Sequence, residues 1–204
     1  KREQLKQLDL SCLRYIFNGA EPISVSLMEK FMEKLSVCGL RKNTMFTVYG
    51  MAEACLAVCF PIPYEEPVVH SVSREDLVSK SKVTYKDRED KDVLLLADEG
   101  YPVRGIEVRI VDEKGNVVTE GTVGEIQIRG GNVTSGYINN PEANKACFQD
   151  GWLKTGDTGF MINGRVTVVG RLKDIIFVNG QNFFAHDIEA VIEDVKLKQK
   201  VFAQ

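Results

Sequence analysis

Early in the chain a short apolar run drives straight into a glycine turn, and then a second run does the same. LRYIF (13–17) leads into NGAEP, and TMFTV (44–48) leads into YGMAEA. Glycine turns at the ends of strand-like runs predict strands whose loops gather at one edge of a sheet. Between the two runs Ser24 is placed to cap a helix, with Leu27, Phe31 and Leu35 on one apolar face beside Met28 and Met32, ending near Gly39. Strand, turn, helix, strand, turn is the order of an α/β layer.

That pattern lapses after Pro61. PIPYEEP and the charge-rich SREDLVSKSKVTYKDREDKD, running to about Asp92, predict a solvated insertion or loop with room for one short helix. Beyond it the period shortens to that of strands: EVRIVD, the turn EKGN, then VV, GEIQIRG and later RVTVVG, spaced by glycine turns as in a small twisted sheet or barrel. Pro141 opens a short helix through Phe148. His186 to Val195 alternate at helical spacing, and KVFA reads as one more strand. The expected division is residues 1–98 as part of an α/β core with a polar insertion near 61–92, residues 99–170 as a β-rich subdomain, and residues 171–204 as a joint leading into a further unit. There is no internal repeat or low-complexity segment.

Composition narrows the partners. With 44% hydrophobic and 27% charged residues the chain suits a globular protein. A net charge of −3 supplies no basic field for nucleic acid, and no apolar run approaches the roughly 18 to 20 residues that span a bilayer. Cys12, Cys38, Cys55, Cys59 and Cys147 form an odd set without a C-x-x-C pair or clustered histidines, which fits reduced thiols and a cytoplasmic location. Cys55 and Cys59 are expected to be buried apolar fillers rather than ligands, so no structural metal is predicted. His70 and His186 stand beside no partner constellation and read as surface or helix-start residues, and Trp152 as packing under the KTGD loop. The first residue is Lys1 with no signal peptide after it, which predicts a piece excised from a longer protein.

The turns share a further property: each ends on a polar group suited to a nucleotide. Asn18 and Glu21 follow the first, Tyr49 and Glu53 the second, and Asp157 and Arg171 lie in two later ones. An aromatic face, carboxylates and a guanidinium are the groups that stack a base, hold magnesium and grip ribose hydroxyls. At these residues the chain resembles the adenylate-forming superfamily of acyl-CoA synthetases, luciferases and peptide synthetase adenylation domains. YGMAEA is similar to that family's YGxTE segment, GEIQIRG to its GE-x-x-x-x-G strand, WLKTGDTG to its (Y/W)-x-(R/K)TGD turn, and GRLKDIIFVNGQNFFAHDIE to its crossover into a C-terminal lid. NGAEPI, Ala52 in place of the usual Thr, and the VNGQNFF ending are most similar to the fatty-acyl-AMP ligases that load polyketide and peptide synthetases.

The resemblance implies an α/β fold, part of the adenylate-forming core with a small β-rich subdomain, ending at the start of the lid. It implies that Asn18, Gly19 and Ala20 line the adenine edge with Glu21 beside them, that Tyr49 lies against the base, and that Gly50, Met51 and Ala52 complete the nucleotide-binding stretch. Glu53 would hold Mg²⁺ on the triphosphate, Asp157 would accept both ribose hydroxyls with help from Arg171, and Lys173 would be the hinge. The implied reaction joins a carboxylic acid to AMP from ATP, then passes the acyl group to the phosphopantetheine thiol of an acyl carrier protein. Coenzyme A as acceptor and a non-catalytic scaffold remain open readings. The family's phosphate-binding loop and lid lysine are not in this sequence, so the segment alone is expected to make no acyl-adenylate.

Overall fold

The computed structural model describes residue 5, residues 7–172 and, by backbone, residues 175–178 and 181–184. Strand β1 (Ile16–Asn18) and strand β2 (Met45–Thr47) pair in parallel, Ile16 opposite Met45 and Asn18 opposite Thr47, with helix α1 (Val25–Ser36) connecting them. A parallel pair needs such a crossover, so the two glycine-flanked runs do form the expected βαβ unit. Ser24 Oγ accepts the Leu27 amide at 3.4 Å, the predicted cap. The buried face differs from the expected one. Val25 and Met28 are buried, whereas Leu27 is 67% and Phe31 40% exposed. Helical spacing alone offers two overlapping stripes here, and packing selects the one through Val25 and Met28.

YGMAEA is not a turn after a strand but the start of a hairpin. Strand β3 (Tyr49–Met51) runs antiparallel to β4 (Leu56–Phe60), and the bend falls on the single-turn helix Ala52–Ala54 and Cys55. Gly50 is required by close approach, since a Cβ there would lie 1.7 Å from the Leu56 carbonyl oxygen. Cys59 is buried in β4, as expected, but Cys55 is exposed at the bend with φ +48°, so it is no apolar filler.

The 61–92 stretch is more structured than its charge suggests. Strand β5 (Val69–Ser73), helix α2 (Arg74–Ser79) and strand β6 (Val93–Ala97) form an antiparallel pair around a capped helix. Ser73 Oγ accepts the Asp76 amide at 3.3 Å, and Glu75 and Asp76 occupy the first turn, where the helix dipole favours acids. Val72, Leu77, Leu94 and Leu96 pack with Phe160 and Val169 into a second core. His70 is therefore neither a surface nor a helix-start residue. It is buried in β5, with Nε2 3.4 Å from Asp98 Oδ2 and Nδ1 3.0 Å from the Tyr85 hydroxyl. Burial alone would raise the Asp98 carboxyl, but His70, Arg165 and the Gly100 amide hold it below the usual carboxylate range.

After the short β7 (Tyr101–Pro102) the chain enters the larger sheet. Strand β8 (Ile106–Val111) pairs with β9 (Gly124–Gly130), the GEIQIRG run. Helix α3 (Pro141–Cys147), opened by Pro141 as expected, leads through β10 (Phe148–Gln149) to β11 (Trp152–Ile162), an 11-residue strand flanked by β9 and by β12 (Arg165–Arg171). KTGD is thus an irregularity inside a long strand, not a free turn: register with β9 shifts between Lys154 and Thr158, and Gly156 sits at φ +76°. The main core joins Tyr49, Val58 and Cys59 of the hairpin to Ile110, Ile126, Ile128, Leu153 and Val166 of this sheet. Strands β13 (Ile175–Val178) and β14 (Gln181–Phe184) form a separate antiparallel pair. Lys173, the helix expected at 186–195 and the strand expected at KVFA lie outside the described residues. Among the described residues no helix is long and apolar enough to cross a membrane.

Candidate active site

Three motifs far apart in sequence meet at one carboxylate. β11 pairs Asp157 with Arg171 of β12, and β3 brings Tyr49 alongside from across the core. The Tyr49 hydroxyl donates to Asp157 Oδ2 at 2.6 Å, and Arg171 Nε lies 3.4 Å from Oδ1. Thr155 fixes the bulge from within: its hydroxyl donates to the Ile126 carbonyl at 2.8 Å and accepts the Asp157 amide at 3.1 Å. Burial first, then the charge on Asp157, holds the Tyr49 phenol far above its usual pKa, so it stays a donor. Tyr49 is a core residue at 9% exposure, and Asp157 is as buried, whereas the Arg171 side chain is 70% exposed.

The NGAE turn is tied to the same corner. The Val48 amide, next to Tyr49, donates to the Asn18 carbonyl at 2.9 Å. Gly19 fits there only without a side chain, because a Cβ would lie 2.4 Å from the Val48 carbonyl oxygen, and Ala20 turns the chain at φ +72°. Glu21 and Ala52 are exposed, and Gly50 and Met51 are half-buried. Both loops leave the carboxyl ends of the parallel pair β1 and β2, the side of an α/β layer where ligands bind.

Glu53 stands on the bend of the β3–β4 hairpin. Its Oε1 accepts the Tyr137 hydroxyl at 2.7 Å, and its backbone carbonyl accepts the Thr134 amide at 2.7 Å. The hydrogen bond to Glu53, with some burial, pushes the Tyr137 phenol up to about 12. Asn132 Nδ2 reaches the Ala54 and Ala57 carbonyls at 2.8 and 3.0 Å. Nothing in the sequence patterns marks Tyr137, Thr134 or Asn132 as site residues. Trp152 does pack, but its partners are two guanidiniums, Arg109 and Arg129, at 4.1 and 4.6 Å from the ring centre.

No group of three or more His, Cys, Asp or Glu side chains among the described residues could hold a metal on its own. A single carboxylate such as Glu53 does fit Mg²⁺ that arrives on a nucleotide, since that ion takes one or two protein carboxylates and fills its octahedron with phosphate oxygens and water.

A family model described as AMP-binding enzyme matches residues 1–138. A medium-chain-fatty-acid–acyl-carrier-protein ligase of Teredinibacter turnerae is 31% identical over 96% of this chain and 33% of its own. A long-chain-fatty-acid–AMP ligase of Mycolicibacterium smegmatis is 31% identical over 89% of this chain and 32% of its own. A solved structure from studies of fatty acyl-adenylate ligases of E. coli and L. pneumophila superposes at TM-score 0.88 with 34% identity, covering 95% of this chain and 35% of that one. The adenylation domain of a keto acid-selecting peptide synthetase module superposes at 0.78 with 32% identity, covering 95% and 37%. The chain spans about a third of the length of these relatives. With the family match running from Lys1 through the Glu53 bend to the loop that braces it, and with a mixed α/β fold that superposes on adenylate-forming structures, the chain belongs to the AMP-binding enzyme family.

Proposed function

We propose that this chain is a segment of an ATP-dependent acyl-adenylate ligase, carrying the ribose and magnesium carboxylates of its nucleotide site. The observation that carries the reading is the convergence of Tyr49, Asp157 and Arg171. A carboxylate's two oxygens match the two hydroxyls of a vicinal diol, and Asp157 is the acceptor on which Tyr49 and Arg171 converge. Tyr49 and Arg171 hold Asp157 aimed. The NGAE turn, tied to Val48, would border the base, and Tyr49 would offer its ring edge or face to it from the strand below.

In this reading Glu53 would hold the Mg²⁺ that accompanies ATP, and that ion would offset phosphate charge. The residues of this chain orient the nucleotide so that a carboxylic acid meets the α-phosphate in line. The acid's oxygen bonds to phosphorus, the bond to pyrophosphate breaks, and acyl-AMP is left. Attack by a thiol then releases AMP. Lys173, beyond the described residues, would be the hinge between the two half-reactions.

The carrier-protein thiol as acceptor, and a fatty acid rather than a polyketide starter acid as substrate, are supported by the names of two relatives that are medium-chain-fatty-acid–acyl-carrier-protein ligases. Coenzyme A is the alternative, supported by the likeness to an O-succinylbenzoate coenzyme A synthetase at TM-score 0.60. The test uses the full-length protein. ATP–pyrophosphate exchange is measured with carboxylic acids of increasing chain length, and then acyl transfer to a phosphopantetheinylated carrier is compared with transfer to coenzyme A. Exchange with none of the acids would leave a scaffold and end the ligase reading. Faster transfer to coenzyme A would replace the carrier.

A further inference from the structure

We infer that Tyr137 is a positioning residue for Glu53, and that residues 131–137 form a brace setting where that carboxylate meets the metal–nucleotide. The inference rests on the proposed role of Glu53.

A carboxylate on a hairpin bend is a poor place for a fixed ligand, because a glutamate side chain gives up much rotamer freedom when it is pinned. Here the bend is gripped at three successive points by one loop. Tyr137 holds the Glu53 carboxylate, the Thr134 amide holds the Glu53 carbonyl, and the Asn132 side chain spans the Ala54 and Ala57 carbonyls. The brace is anchored behind. The Tyr137 amide donates to Asn144 Oδ1 at 2.6 Å and Asn144 Nδ2 donates to the Tyr137 carbonyl at 2.9 Å, which fastens the tyrosine to α3. Gly136, at φ +145°, lets the chain pass Asn144, where a Cβ would lie 2.8 Å from Oδ1. The tyrosine backbone is thus fixed by a helix while its hydroxyl faces Glu53.

The donor's chemistry matters as much as its position. A lysine in the same place would offset the charge a cation needs. A neutral phenol orients Glu53 without adding a positive charge beside it, with Oε2 free of hydrogen bonds among the described residues.

The test is Tyr137→Phe in the full-length protein, with two readouts. The Mg²⁺ concentration giving half-maximal pyrophosphate exchange should rise roughly fivefold, the size of one hydrogen bond, with the KM of the acid unchanged. Mg·ATP affinity measured by calorimetry should fall by the same factor, and Tyr137→Phe should add nothing in a Glu53→Gln background. An unmoved Mg²⁺ dependence, an equal rise in the acid's KM, or an undiminished effect beside Glu53→Gln would overturn the inference. A protein that binds Mg·ATP but exchanges pyrophosphate with no acid would end the ligase reading while leaving the calorimetric arm to decide on Tyr137. A protein that binds no Mg·ATP would end both.

Discussion

The two carboxylates of the site are held by the same chemistry on opposite kinds of scaffold. Asp157 and Glu53 each accept one tyrosine hydroxyl, at 2.6 and 2.7 Å. Asp157 sits within a long strand with neighbours on both sides, and its tyrosine is part of the main core. Glu53 sits on a one-turn bend, half-buried, with its tyrosine on a surface loop. Strand pairing sets Asp157 before any ligand arrives, whereas Glu53 depends on a few local hydrogen bonds. Both proposed tasks need a preset carboxylate, but only Asp157 is set by strand pairing, whereas Glu53 is set by a loop brace.

Removing each carboxylate should expose the contrast most sharply. If Asp157 holds the ribose as proposed, Asp157→Ala forfeits two charge-assisted hydrogen bonds at roughly 1.5 to 3 kcal/mol each, so ATP should bind at least a hundredfold more weakly while the acid's affinity holds. The same variant leaves the buried Tyr49 hydroxyl without its acceptor, which should cost a further 1 to 3 kcal/mol or so of folding stability. Glu53→Ala should weaken Mg·ATP but leave stability within about 0.5 kcal/mol, as for a surface change. Paired calorimetry and urea denaturation measure both. Equal losses of stability in the two variants would erase the distinction between strand and bend.

Two glycines sharpen it further, because each scaffold uses one for a different reason. Gly50 is excluded from a side chain by space, with the Leu56 carbonyl in the way, so Gly50→Ala should cost about 3 kcal/mol as the hairpin is forced apart. At Gly156 nothing lies within 4 Å of an added Cβ, and only φ +76° opposes one. Gly156→Ala should therefore cost only about 1 to 2 kcal/mol. Denaturation midpoints of the two variants give the order, and a reversed order would mean that the bulge, not the hairpin, is the tightly packed partner.

The layer and the motif positions were legible because they rest on short-range signals. Glycine after an apolar run, a serine before a helix and alternation in GEIQIRG place β1, α1, β2 and β9 without knowledge of contacts. Contacts were legible only where the resemblance supplied them. Nothing in YGMAEA says that Gly50 is packed under a carbonyl 6 residues on, so a strand read as a turn. VHSVS is a short alternation hidden in a charged stretch, and its burial depends on Phe160 from a distant strand. The hydroxyl of Tyr137 meets Glu53 across 84 residues, a distance no periodicity reports. Asp157 with Arg171 could be proposed from motifs, yet that Tyr49 completes the set by a hydrogen bond is a property of the packed core.

Alkaline titration separates the tyrosines more gently. The Tyr137 phenol rises from an ordinary value of 10.0 to about 12, chiefly through its hydrogen bond to Glu53. A group raised in the folded state contributes stability that is full below its unfolded value and lost as pH climbs through the folded one. Part of the fall in melting temperature between about pH 10 and 12 should thus come from Tyr137. Glu53→Ala removes the acceptor of that hydrogen bond, so the fall should become shallower in that window. An identical pH profile for the variant and the parent would show that the hydrogen bond is not maintained in solution.

Arg171 gives the smallest expected effect and the most direct check on what holds Asp157. Its side chain is 70% exposed and its nitrogen stands 3.4 Å from the carboxylate, a geometry for which ion pairs contribute about 0 to 1 kcal/mol. If Tyr49 is the main support, Arg171→Ala should leave urea stability nearly unchanged. In the full-length protein it should raise the KM for ATP only a few-fold, an increase that shrinks at high salt as screening removes the charge contribution. Tyr49→Phe should do the reverse, costing stability at every salt concentration because a buried carboxylate oxygen loses its donor. If Arg171→Ala destabilises the fold as much as Tyr49→Phe, then the register of β11 with β12 is secured by that ion pair, and the core tyrosine is the accessory.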